Sequence, residues 1–174
     1  MRAPSEPVPP PRTLLIVWWS ATGAARALAE AAELAARLSA PEVTIRRVRC
    51  DQATENDLLQ ADALIFACPE MLGSMAGMMK DFFDRTYYPA LERLAGKPYA
   101  VIVSAGSDGQ GAIRQIQRIA AGWRLRPVAE PLLVCTHAQT AEAILADKRL
   151  PDPALEQARE LGAAIASGVS LGIW

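Results

Sequence analysis

Three stretches of this chain combine hydroxyls, glycines and backbone in ways that bind ligands, and each comes after an apolar run. The first is Ser20-Ala21-Thr22-Gly23-Ala24-Ala25. An apolar segment enters it and an alanine-rich, helical pattern leaves it. The first N–H groups of a helix have no partner inside the helix, and its dipole favours negative charge there. Ser20 and Thr22 add hydroxyl donors, and Gly23 lets the backbone come close. The chemistry is anion binding, with phosphate the natural candidate. The competing use is helix capping by Ser20 or Thr22. The stretch matches neither GxxxxGK[ST] nor GxGxxG, which disfavours nucleoside triphosphates and the Rossmann type of dinucleotide loop.

The second stretch, PEMLGSMAGMMKDFFDR (69–85), opens directly after another apolar run. Pro69 removes a donor and Gly73 permits a tight backbone. Residues 69–74, including Glu70, Met71 and Leu72, are expected as a short loop whose amides face a planar ligand, or else as an ordinary strand-to-helix turn. In the third, Ser104-Ala105-Gly106-Ser107-Asp108-Gly109-Gln110-Gly111, the glycines at 106, 109 and 111 suit either close backbone approach or a flexible connector.

Nucleophilic and metal chemistry finds little support. Cys50, Cys68 and Cys135 are far apart, and the single His137 has no partner at metal-ligand spacing. A Cys-x5-Arg phosphatase loop is excluded by Asn56 and Ser74, and a phospho-receiver by Trp18, Trp19 and Ser20, where acidic residues would have to end the first strand. Neither a catalytic side chain nor a metal is expected. The cysteines read as buried thiols in a reducing, cytoplasmic setting.

The elements that must position these stretches are set by periodicity. TLLIVWW (13–19), DALIFACP (62–69) and KPYAVIVSAG (97–106) are apolar without alternation, as strands buried on both faces are. EVTIRRVR (42–49) turns basic and fits an edge strand, and PLLVC (131–135) is the last strand. Helical spacing joins them: Leu28 to Leu38, closed by Pro41; a short polar helix over 53–61 capped by Thr54; Met75 to Phe83; Ile113 to Trp123; and Pro153 to about Gly168. Lys80 and Asp84 are set for an i,i+4 pair. Trp18 and Trp19 should point to opposite faces of the sheet.

Five β-α repeats predict an α/β fold: a three-layer α/β/α sandwich on a five-stranded parallel sheet of order 2-1-3-4-5. One domain is expected over residues 13–174, after a flexible, proline-rich tail over 1–12. The 174 residues carry a formal net charge of −1, which provides no basic field for nucleic acid or anionic membrane. No apolar run reaches the ~18 residues of a membrane span, and the N-terminus lacks the pattern of a secretory or transit peptide.

Taken together, the motifs resemble the flavodoxin-like superfamily, especially its NAD(P)H-dependent FMN reductase and quinone reductase branch. SATG looks like that family's phosphate loop. PEMLGSMAGMMKDFFDR is similar to its Pro-Glu-Tyr-x-Gly-Ser…Lys-x-x-x-Asp segment through Pro69, Glu70, Gly73, Ser74, Lys80 and Asp84. SAGSDGQG occupies the place of its ring-contact loop. The resemblance implies FMN as cofactor. Ser20, Ala21, Thr22 and Gly23 would cradle the phosphate with the amides of Ala24 and Ala25. Residues Pro69, Glu70, Met71, Leu72 and Gly73 would line the ring, with Ser104, Ala105, Gly106 and Gly111 at its other edge. NADPH or NADH would be the co-substrate, and a quinone, flavin or other small molecule the electron acceptor. A homodimer is implied, with Trp174 covering the partner subunit.

The chain departs from the family where Asn and Thr often come after the glycine and an aromatic often comes after Pro-Glu. Ala24, Ala25 and Met71 stand there, so weaker FMN binding is expected. The alternatives are a flavodoxin-type electron carrier, usually strongly acidic, and a binding or regulatory protein without cofactor.

Overall fold

The computed structural model describes residues 11–174, so most of the expected tail lies outside the described residues. Arg12 belongs to the fold: its carbonyl accepts the Thr44 N–H at 2.8 Å, and its guanidinium donates to the Val169 carbonyl at 2.5 Å.

The apolar runs form the central strands. In β1 (Thr13–Trp18), Leu14 through Val17 are fully buried. It pairs in parallel with β2 (Thr44–Arg49) on one side, in register Thr13 to Thr44, and with β3 (Ala63–Met71) on the other. A two-residue strand, β4 (Ser74–Met75), folds back antiparallel on the end of β3. Next to β3 lies β5 (Pro98–Ala105), buried along its whole length.

The outer edge of β5 carries two short parallel pieces. β6 (Arg126–Pro127) lies opposite Pro98 and Tyr99, and β7 (Leu132–Cys135) opposite Ile102 to Ala105. The fold class is as expected, but the sheet has seven strands instead of five: the order runs β2-β1-β3-β5, β6 and β7 share the outer edge of β5, and the added β4 is antiparallel. Pro127 and Pro131 flank the interruption and lack the N–H that a continuous ladder needs.

Alternation along the strands sends side chains into two cores. Leu14, Ile16, Ala63, Ile65 and Ala67 face α1 (Ala24–Ser39) and α6 (Asp152–Leu171). Those two helices touch closely, because a Cβ on Gly162 would lie 2.1 Å from the Ala32 carbonyl oxygen. On the other face, Leu15, Val17, Leu64, Phe66 and Cys68 meet α2 (Glu55–Gln60), α3 (Gly77–Ala90) and α4 (Gln110–Gly122). Phe83 lies at the centre there, 5.1 Å from the Phe66 ring and 5.6 Å from that of Trp123. The methionine stripe of α3 is half core and half surface: Met79 is buried, while Met78 is exposed. Lys80 and Asp84 pair at 2.6 Å on the wet side.

Trp18 packs on the α1/α6 core with the Arg47 guanidinium 5.0 Å from its ring centre, and Trp19 packs on the opposite core. Trp174, expected to cover a partner, packs within this chain on α6. Its indole sits so tightly on Gly168 that a Cβ there would lie 1.9 Å from the ring. One further element, α5 (Ala141–Leu145), has no counterpart among the expected helices, and none of its residues is buried.

Candidate functional site

The sheet ends its central strands at one rim, and three of the expected stretches meet there. After β1, Ser20 to Gly23 make a turn closed by the Gly23 N–H donating to Ser20 Oγ at 3.0 Å. Gly23 caps α1 with φ 94°, a left-handed backbone that favours glycine. The first helical bond runs from Ala27 N–H to the Gly23 carbonyl at 2.9 Å. The N–H groups of Ala24, Ala25 and Arg26 have no acceptor among the described residues. Three amides thus converge at the positive end of a 16-residue helix.

The second stretch differs from its expected form. Residues 69–74 are not a loop. β3 runs on through Pro69, Glu70 and Met71, and the chain reverses at Leu72 (φ 52°) and Gly73 (φ 72°) to pair Met71 with Ser74 and Glu70 with Met75. Two consecutive left-handed residues make a hairpin of the I′ kind.

This hairpin is clamped to α4. The Glu70 carboxylate accepts the N–H of Gly109 at 3.0 Å and of Ala112 at 3.1 Å, capping the start of that helix. Gln115 Oε1 accepts the Ser74 hydroxyl at 2.8 Å and the Met75 N–H at 3.0 Å. The Glu70 side chain therefore fixes the cleft wall that its own backbone helps to form.

Between these parts lies a cleft of about 540 Å³, open solvent included. Ala21, Thr22 and Ala24 form one wall, Pro69, Glu70 and Met71 another, and Ser104, Ala105 and Gly106 the third. Nine of the expected site residues meet in it. The others lie elsewhere. Ser20 and Gly23 face a second, polar cleft of about 470 Å³ beside the first, with Trp18, Trp19, Arg26, Arg49 and Asp147. Ala25 is buried, Leu72 and Gly73 form the hairpin tip, and Gly111 lies beneath the hairpin, away from the cleft.

Sequence reasoning missed a fourth wall. Thr136 and Ala138, Ile144 and Leu145 of α5, and Lys148 all line the cleft. Thr136 donates its N–H (2.8 Å) and hydroxyl (3.1 Å) to the Ala105 carbonyl. The N–H of Lys148 donates to the Thr22 carbonyl at 2.7 Å. Its ammonium caps α5 through the carbonyls of Ala143 (2.7 Å), Ile144 (2.9 Å) and Ala146 (2.5 Å). The one sequence signal was Thr140, whose Oγ1 accepts the Ala143 N–H at 3.2 Å as a helix cap.

None of the three cysteines lines this cleft. Burial pushes the Cys68 thiol up to about 12, and burial with the neighbouring Asp51 charge pushes Cys50 up to about 11, so both remain protonated. Cys135 donates to the Ser107 carbonyl at 3.4 Å. His137 is exposed, with φ 55°. The cleft offers backbone donors at one end and apolar walls along its length.

A family model for the NADPH-dependent FMN reductases matches residues 24–140, about two thirds of the chain. The chain belongs to this family. Within it, residues 24–140 hold the first helix, the clamped hairpin and the glycine-bearing stretch after β5.

Among individual proteins, the NAD(P)H dehydrogenase (quinone) of Paracoccus denitrificans is 32% identical over 123 residues, covering 60% of this chain and 59% of that protein. The flavodoxin of Aquifex aeolicus is 33% identical over 99 residues, covering 56% of this chain and 52% of the relative. The chain thus spans little more than half the length of either. Among solved structures, a flavodoxin from the domain Archaea superposes with a TM-score of 0.75 at 20% identity, covering 90% of this chain and 98% of that one. This FMN reductase family member therefore has the flavodoxin fold. No helix among its described residues is long and apolar enough to cross a membrane.

Proposed function

We propose that the chain binds FMN in this cleft and moves electrons from NADPH or NADH to a small acceptor, with a quinone as the first candidate. One observation carries the reading: Ala24, the first of the unbonded amides at the start of α1, lines an apolar cleft at the carboxyl ends of β1, β3 and β5. Ligands of open α/β sheets bind at that rim. A phosphate fits the amides, and a flat ring fits the walls.

The residues take distinct tasks. The amides of Ala24 and Ala25 bind the phosphate, with the Thr22 hydroxyl beside them. Met71 and the Pro69–Glu70 backbone hold one side of the ring, and Ser104 to Gly106 hold another. Bound flavin supplies the redox chemistry, and the protein supplies position, hydrogen bonds and exclusion of water. No acid or base side chain is required of the site.

The activity named for the Paracoccus relative supports a quinone as acceptor. The likeness to the Aquifex flavodoxin favours a second reading, an electron carrier. The net charge of −1 weighs against it, because a carrier that docks basic partners needs a strong field. A cytoplasmic setting belongs to the same proposal and is supported by three free cysteines. So does a homodimer, supported by the exposed apolar residues Met71, Leu72, Ile144 and Leu145 around the cleft mouth.

The test is direct. Purified protein titrated with FMN should perturb the flavin visible spectrum, and NADPH or NADH should then bleach the bound flavin without oxygen. Steady-state oxidation of NAD(P)H with a quinone should then proceed, with no second protein added. An unperturbed spectrum would remove the cofactor reading. A loaded protein that neither nucleotide bleaches would remove the reductase and leave the carrier.

A further inference from the structure

We propose that Arg26 is a ligand of the FMN phosphate, placing a fixed positive charge beside the backbone cradle. The inference rests on FMN as the occupant of the cleft and assigns a residue that none of the three motifs contains.

Arg26 is the third residue of α1, in its first turn. Helical side chains tilt toward the N-terminus, and at this position a Glu commonly reaches back to the cap. A cation here opposes the helix dipole. The first turn of α1 contains no acidic residue that would offset it.

Arg26 nevertheless folds back over the loop. Its Nη2 lies 3.9 Å from the place of a Cβ on Gly23. It makes no hydrogen bond or ion pair among the described residues. On the neighbouring strand, by contrast, Arg46 holds Asp57 (2.5 Å), Arg47 holds Glu33 (2.6 Å) and Arg49 holds Asp51 (3.0 Å).

The guanidinium lines the polar cleft with Ser20, Ala21 and Gly23, the residues of the phosphate turn itself. Asp147 lines it too, yet does not pair with Arg26. The arrangement is unfavourable without an anion and favourable with one, since a phosphate between amides and guanidinium satisfies both. A guanidinium meets phosphate oxygens two at a time, with strong charge-assisted bonds. Ala24 and Ala25 lack side-chain donors, and Arg26, one residue further on, makes good that loss.

Riboflavin lacks only the phosphate, so paired titrations isolate this contact. The purified full chain, Arg26→Gln and Arg26→Lys would each be titrated with FMN and with riboflavin at low and high salt. Arg26 is exposed and bonds to nothing among the described residues, and circular dichroism would confirm that the variants fold.

We expect the unaltered protein to prefer FMN, and Arg26→Gln to weaken FMN binding about 10-fold or more while riboflavin affinity stays unchanged. Arg26→Lys should retain part of the preference. The salt dependence of FMN binding should shrink in Arg26→Gln. An unchanged FMN-to-riboflavin ratio, or equal weakening of both ligands, would overturn the proposal and leave the cofactor reading intact. An unchanged ratio together with a raised KM for NADPH but not NADH would also overturn it, by giving the guanidinium to the dinucleotide's extra phosphate. Failure of the unaltered protein to bind either flavin would overturn both.

Discussion

Gly111 in α4 and Gly73 at the hairpin tip stand so close that a Cβ on Gly111 would lie 2.0 Å from the Gly73 carbonyl oxygen. Gly111, expected at the edge of the ring, packs against the hairpin, and its lack of a side chain lets the helix start seat that hairpin directly. Gly111→Ala should therefore destabilise the protein by about 1–3 kcal/mol, despite the better helix propensity of Ala. Urea unfolding measures this. FMN affinity should fall with it, because Met71 moves with the hairpin.

Leu72 provides a test of opposite sign. It occupies φ 52° with its side chain wholly exposed, so it gains no packing for an unfavourable backbone. Leu72→Asn should stabilise the fold by about 1 kcal/mol, because Asn tolerates the left-handed region and suits an I′ turn. Thermal unfolding would show a raised midpoint. A lowered one would mean that Leu72 packs on something, with a second copy of the chain as the first suspect.

Ile144 and Leu145 lie half to mostly exposed at 50% and 77%, yet both line the cleft. Replacing both by Ser should leave stability near wild type and weaken FMN and riboflavin alike, about 10-fold, since the loss is of apolar cover over the ring. Flavin titration of the double variant checks this. The equal effect on both ligands separates these residues from Arg26.

Part of the acid sensitivity of the fold should lie at α2. Burial raises the Asp57 pKa, but the Thr54 N–H and hydroxyl (2.8 Å each) and the Arg46 guanidinium outweigh it and hold the carboxyl below its usual range. A depressed carboxylate stabilises the fold above its unfolded pKa of about 4, and that contribution is lost as pH falls through the lower folded value. Asp57→Asn should cost about 1 kcal/mol at neutral pH. The gap to wild type should close on acidification below pH 4, as denaturant midpoints across pH would record.

Apolar runs and helical spacing made the order of the main strands and helices legible, because both faces of β1, β3 and β5 are covered and their composition shows it. The three cleft walls were legible for the same reason, since the chain enters each of them straight from one of those strands. The hairpin was not. A Leu-Gly reversal lacks the Asn-Gly signature of its turn, and the bonds that clamp it come from residues distant in sequence, such as Glu70 to Gly109 and Ser74 to Gln115. The α5 wall was not legible either, because a five-residue helix without a buried face leaves no periodic stripe. The seat of Trp174 was not legible, because its indole gives no hint of the bare glycine, Gly168, that receives it.

The interruption between β6 and β7 bears on solubility. Every open sheet has two borders where a stranger's backbone can add on and begin a fibre. One border here is broken at Pro127 and Pro131, and the other, β2, carries Arg46, Arg47 and Arg49. Neither offers a long, uncharged run of free donors and acceptors. Strand addition by a second copy therefore finds no ready template at either border.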